Sequence, residues 1–109
     1  MTVKDLSSNP KINTLCIPSP KRDICGVYIG DLLSWVMGSA EAYCAWITIM
    51  SNINVIAVAT LADVSCVILA EGVVPDDEVL KTANEKGVNI LSSSLTAYEL
   101  ALLLNGEMK

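Results

Sequence analysis

Short, nearly continuous apolar runs recur along this chain, separated by stretches whose apolar positions repeat at helical spacing. Ile12 to Ile17 reads as a short edge strand stopped by Pro18, which cannot donate to a ladder. Ile24 to Ile29, rich in β-branched and aromatic residues, reads as a second strand. After Gly30, Asp31 stands where it can cap a short helix carrying Leu32, Leu33, Val36 and Met37 on one face and ending at Gly38. Ala45 to Ile49 is the next strand. Ile53 to Ala62 has two readings: a helix capped by Ser51-Asn52 and favoured by its alanines, or a strand favoured by Val55, Ile56 and Val58. Cys66 to Leu69 has the character of a strand covered on both faces, and Glu71-Gly72 ends it. Pro75 followed by Asp76, Asp77 and Glu78 starts a helix that runs from about Asp76 to Lys86 and closes at Gly87. A strand over Val88 to Leu91 follows, then Ser92, Ser93 and Ser94. The last helix opens on a Thr96-x-x-Glu99 capping box and ends at Asn105-Gly106. Strands alternating with helices across short turns predict βαβ units, hence an α/β fold: three-layer α/β/α with a mainly parallel sheet.

Composition narrows this picture. With 109 residues the chain has the length of a single domain, 1–109, and residues 1–22, where three of the four prolines fall, read as loop-rich apart from the short edge strand. The hydrophobic share is 52% and the charged share 17%, more apolar than so small a domain needs. An excess of this kind is buried by a homodimer or by docking to an enzyme or regulatory partner. The formal net charge of −5 repels polyanions, so nucleic acid is not an expected partner.

Cys16, Cys25, Cys44 and Cys66 contain no C-x-x-C pair, which is poor spacing for zinc or a redox dithiol. The polar stretch Met1 to Pro10 is unlike a signal peptide, so the thiols read as free in a reducing, cytoplasmic setting rather than as two disulfides or an iron–sulfur site. Ala42 to Ala62 carries no charge and has the length of a bilayer span, but Ser51, Asn52 and Asn54 fall in its middle and no basic cluster flanks it, which argues against a membrane.

The chain has no histidine, so a Ser-His-Asp or Cys-His mechanism has no base, and it has neither a P-loop nor a G-x-G-x-x-G fingerprint. No catalytic residue, cofactor or metal is assigned. Asp76, Asp77 and Glu78 lack the ligand alternation of a calcium loop and suit the helix dipole better. The polar residues left at the carboxyl ends of the expected strands are Asp31, Thr48, Ser51, Asn52, Glu71, Gly72, Ser92, Ser93 and Ser94. Ligands of open parallel sheets bind at that edge, so these are the candidates for holding a small metabolite or nucleotide, with helix capping as the competing role. An enzyme using Asp31 and Glu71 with a metal is a third alternative, behind a binding module and a structural interaction protein.

The segments Val27 to Met37, Ala45 to Ile49, Glu71-Gly72, Pro75-Asp76, Ala83 to Ser92 and Tyr98 to Ala101 resemble the DRTGG domain family along nearly the whole chain. In the loop that names the family, around Lys21 to Val27, this chain keeps Arg22 and Gly26, while lysine, cysteine and valine stand where aspartate, threonine and the second glycine belong. The resemblance implies a fold similar to the N-terminal domain of HPr kinase. It also implies a stand-alone regulatory or ligand-sensing module, a family-motif loop at Arg22 and Gly26, and no phosphoryl transfer, given the missing P-loop.

Overall fold

The computed structural model describes residues 1–108. Ten elements follow one another: α1 (Val3–Ser7), β1 (Asn13–Cys16), β2 (Gly26–Ile29), α2 (Leu33–Ser39), β3 (Cys44–Thr48), α3 (Asn54–Ala62), β4 (Cys66–Leu69), α4 (Asp77–Lys86), β5 (Ile90–Ser92) and α5 (Ala97–Glu107). The five strands form one sheet in the order β1-β5-β4-β3-β2, with β2 to β5 parallel and β1 antiparallel to β5. The fold is therefore α/β with a mixed, mostly parallel sheet.

Side-chain alternation divides the core into two layers, because successive residues of a strand point to opposite faces. Cys44, Trp46, Val67, Leu69 and Ile90 face a cluster built with Val36 of α2, Val55, Ile56 and Ala59 of α3, and Val79 and Ala83 of α4. Ala45, Ile47, Cys66, Ile68 and Leu91 face the other, built with Val3 and Leu6 of α1 and Leu100 and Leu104 of α5. From β2 onward each strand moves one place along the sheet from the last, so the three crossover helices α2, α3 and α4 share one face and the two terminal helices cover the other.

Several expectations need correction. The N-terminal segment is not all loop: Thr2 and Asp5 close a capping box over α1, whose Val3 and Leu6 are fully buried under the sheet. Asp31 does not cap α2, which starts from Leu32 with no side-chain cap, and of the expected apolar face only Val36 is buried. Leu32 and Met37 point to solvent, Gly38 lies inside α2, and Asn105-Gly106 lies inside α5. Ile53 to Ala62 resolves as helix: the Asn52 side-chain oxygen accepts from the Asn54 N–H at 2.9 Å, an Asx turn that launches α3, and Asp63 ends it in the left-handed conformation. The uncharged stretch Ala42 to Ala62 is thus split between β3 and α3, and no helix of the described residues is long and apolar enough to cross a membrane. The four thiols are free, with Cys44 and Cys66 buried, Cys16 partly shielded and Cys25 exposed.

Candidate functional site

Parallel pairing of β2 to β5 brings the carboxyl ends of four strands to one edge, so Asp31, Thr48, Ser51, Asn52, Glu71, Gly72, Ser92, Ser93 and Ser94 all lie on that side of the molecule. Asp31, Thr48, Asn52 and Ser93 have side-chain atoms already engaged. The Asp31 Oδ1 accepts from the Thr48 hydroxyl at 2.8 Å and from the Ile49 N–H at 3.0 Å, and the Thr48 oxygen accepts in turn from the Met50 N–H at 3.1 Å. This chain ties the end of β2 to the end of β3. The Ser93 hydroxyl donates to the Lys11 carbonyl at 2.7 Å and accepts from the Leu95 N–H at 3.1 Å, and Ser92 and Ser93 are both buried. Only Ser94 of the three serines is exposed.

A crevice opens at such an edge where the loops after neighbouring strands leave toward opposite faces. In this sheet that happens once, between β4, followed by α4, and β5, followed by α5 on the other face. The crevice is stitched shut. Glu71 and Gly72, both in left-handed conformations, donate their backbone N–H groups to the carbonyls of Leu95 at 2.9 Å and Ser93 at 2.8 Å. Open space is found one position further along, where a cleft of about 400 Å³ between the starts of α3 and α4 is lined by Ser51, Asn52, Ile53, Asp76, Glu78 and Val79. It holds two of the expected residues together with two acids that the sequence placed only as helix-start residues. Asp76 makes no side-chain cap bond to α4, so its carboxylate is not spent on the helix.

Arg22 and Gly26 stand apart from this group, at the opposite edge where β2 begins. Arg22 reaches the end of α3: its guanidinium pairs with the Asp63 carboxylate at 2.9 Å, donates to the Asp63 carbonyl at 3.0 Å and stacks 4.6 Å from the Tyr43 ring centroid. A cation–π contact and a two-point bond to a helix end make Arg22 a clasp between the loop before β2 and α3. Gly26 lines a separate depression of about 260 Å³ with Cys25, Tyr28, Ser39, Glu41 and Cys44. Among the described residues no group of three or more His, Cys, Asp and Glu side chains converges as a metal site would require. Burial pushes the Cys66 thiol up to about 12 and raises Cys44 as well, so neither is a nucleophile near neutral pH.

The DRTGG domain family matches residues 36–106. The chain belongs to the DRTGG domain family. The matched residues begin after the loop that carries Arg22 and Gly26, so membership rests on the sheet and its helices rather than on that loop. No curated protein sequence matches the chain. Among solved structures it is similar to the CBS and DRTGG domains of the regulatory region of Clostridium perfringens pyrophosphatase, complexed with the activator diadenosine tetraphosphate. The TM-score is 0.67 at 13% sequence identity, over 85% of this chain and 41% of that one. This DRTGG-family chain thus spans less than half of that regulatory region, and the likeness is one of fold.

Proposed function

We propose that this chain is a regulatory, ligand-sensing module of the cytoplasm that binds a small metabolite or nucleotide, works as a homodimer on an enzyme or regulatory partner, and catalyses nothing itself. The observation that carries this reading is the architecture it shares with a regulatory region solved with a nucleotide activator. The cleft between α3 and α4 is the site that fits. Its chemistry limits the ligand, because Asp76 and Glu78 repel bare phosphate and favour hydroxyl or amino groups, or a polyphosphate that brings its own cation. A nucleotide would enter ribose or base first, toward Asn52 and Asp76, with its phosphates outside.

A thermal-shift screen of nucleoside mono-, di- and triphosphates and diadenosine tetraphosphate, with and without magnesium, tests this. A ligand at a hundred times its Kd stabilises the folded chain by about 2.7 kcal/mol, which raises Tm by roughly 10 °C in a domain of this size. Asn52→Ala combined with Asp76→Ala should remove the shift. The engaged hydroxyls of Thr48 and Ser93 favour a second reading, a structural interaction protein with no ligand. That reading predicts no shift with any compound.

A further inference from the structure

The sheet ends on one side in β2, a strand with a neighbour, β3, on its inner side only. Natural proteins blunt such an edge with lysine, proline, a bulge or a covering element. Gly26–Ile29 is short, at four residues, but has none of these: the strand is regular, and Val27 and Ile29, on the sheet face of Ala45 and Ile47, are 38% and 49% exposed. Helix α2 packs against α3 and is the outermost of the three helices on its face, on the same side as β2. It leaves Leu32, Trp35 and Met37 in solvent, Trp35 at 66%. Val27 and Ile29 on one face of the sheet, and Leu32 with Trp35 on one flank of α2 on the other, present two apolar surfaces that together come to roughly 400 Å², within the range of functional surface patches. That is about half of the ~800 Å² each partner contributes to a standard interface.

Charge selects what covers it. Two copies of a chain with net charge −5 repel one another unless they meet through a neutral face. Between Gly26 and Ala40 the only charged residue is Asp31, and it lies beyond the end of β2 with one carboxylate oxygen held by Thr48 and Ile49. A strand edge is also self-complementary, since a two-fold axis sets it antiparallel to its own copy with donors facing acceptors.

We infer that β2 and α2 form the surface through which two copies of this chain associate, β2 pairing antiparallel with the β2 of the second copy so that the two sheets become one. Val27 and Ile29 meet their counterparts across the seam on one face, and the apolar side of α2 closes it on the other. This rests on the homodimer in the function proposed above and says which surface makes it.

Sedimentation velocity of the 109-residue chain from low micromolar to near-millimolar concentration, with circular dichroism as a check on folding, tests it. The wild-type chain should sediment as a dimer of 11.6 kDa subunits. Val27→Lys with Ile29→Lys, and separately Trp35→Glu, should weaken the dimer at least a hundredfold while the folded spectrum is kept. Leu61→Glu, on the exposed side of α3, should leave it intact. A wild-type monomer at every concentration overturns both the surface and the homodimer, and leaves the edge to a different partner. A dimer that survives all β2 and α2 changes overturns the surface alone.

Discussion

The two edges of the sheet are finished in opposite ways. At β1 the strand is polar, with Asn13 and Thr14 exposed, its register slips between Thr14 and Cys16, and Pro18 and Pro20 follow at once. The loop that follows β1 is tied to the segment that leads into β5. Buried Asn89 accepts from the Ser19 N–H at 2.9 Å and donates to the carbonyls of Ser19 at 2.8 Å and Ser65 at 2.9 Å, while the Ser19 hydroxyl donates to the Gly87 carbonyl at 3.1 Å. At β2 the strand is apolar, regular and open. One edge is blunted by polar residues, a register slip and nearby prolines, and the other is left in a form that a second strand can use.

The largest test of that contrast is Asn89→Ala. It removes one amide and strands three backbone groups at a buried junction, so it should cost about 3 kcal/mol of stability in urea unfolding without altering association. On the β2 side, Asp31→Ala should cost less, about 2 kcal/mol, because of the two groups it releases the Ile49 N–H is exposed to water and only Thr48 is buried. An equal loss at the two sites would erase the difference between a closed and an open edge. The smallest effect is chemical. Cys16 at the end of β1 is half-shielded, its thiol donates to the Val88 carbonyl at 3.6 Å, and burial raises its pKa, whereas Cys25 before β2 is exposed. A raised thiol pKa leaves less thiolate at any pH below it, so a disulfide reagent at pH 8 should modify Cys25 several times faster than Cys16. Cys44 and Cys66 should react only on unfolding.

Much of this architecture is legible in the residues because local and tertiary preferences agree. Cys66 to Leu69 is apolar on both faces and is a strand with those bounds, and the Thr96-x-x-Glu99 box caps α5 as read. What was not legible depends on partners distant in the chain. Helix α1 is too short to hold on propensity and exists because Val3 and Leu6 dock under the sheet. Asp31 has the residue type and position of a cap, but Thr48 and Ile49 offer it better partners. The site divides the same way. Alternation of strand and helix placed nine polar residues on one edge, yet no pattern in sequence says that Ser93 turns inward, or that the exit of β4 is sewn to that of β5. Asp76 and Glu78 joined the cleft unannounced, since acids at a helix start have a sufficient reason to be there.

Helix α2 is moored to the body by a single fully buried side chain, Val36. The other crossover helices sink two or more residues into the core, so α2 is the most lightly anchored of the three. An assembly that draws its apolar contact from α2 is held through the most lightly anchored helix of that layer, so its lifetime follows the opening of that helix rather than the firmness of the core.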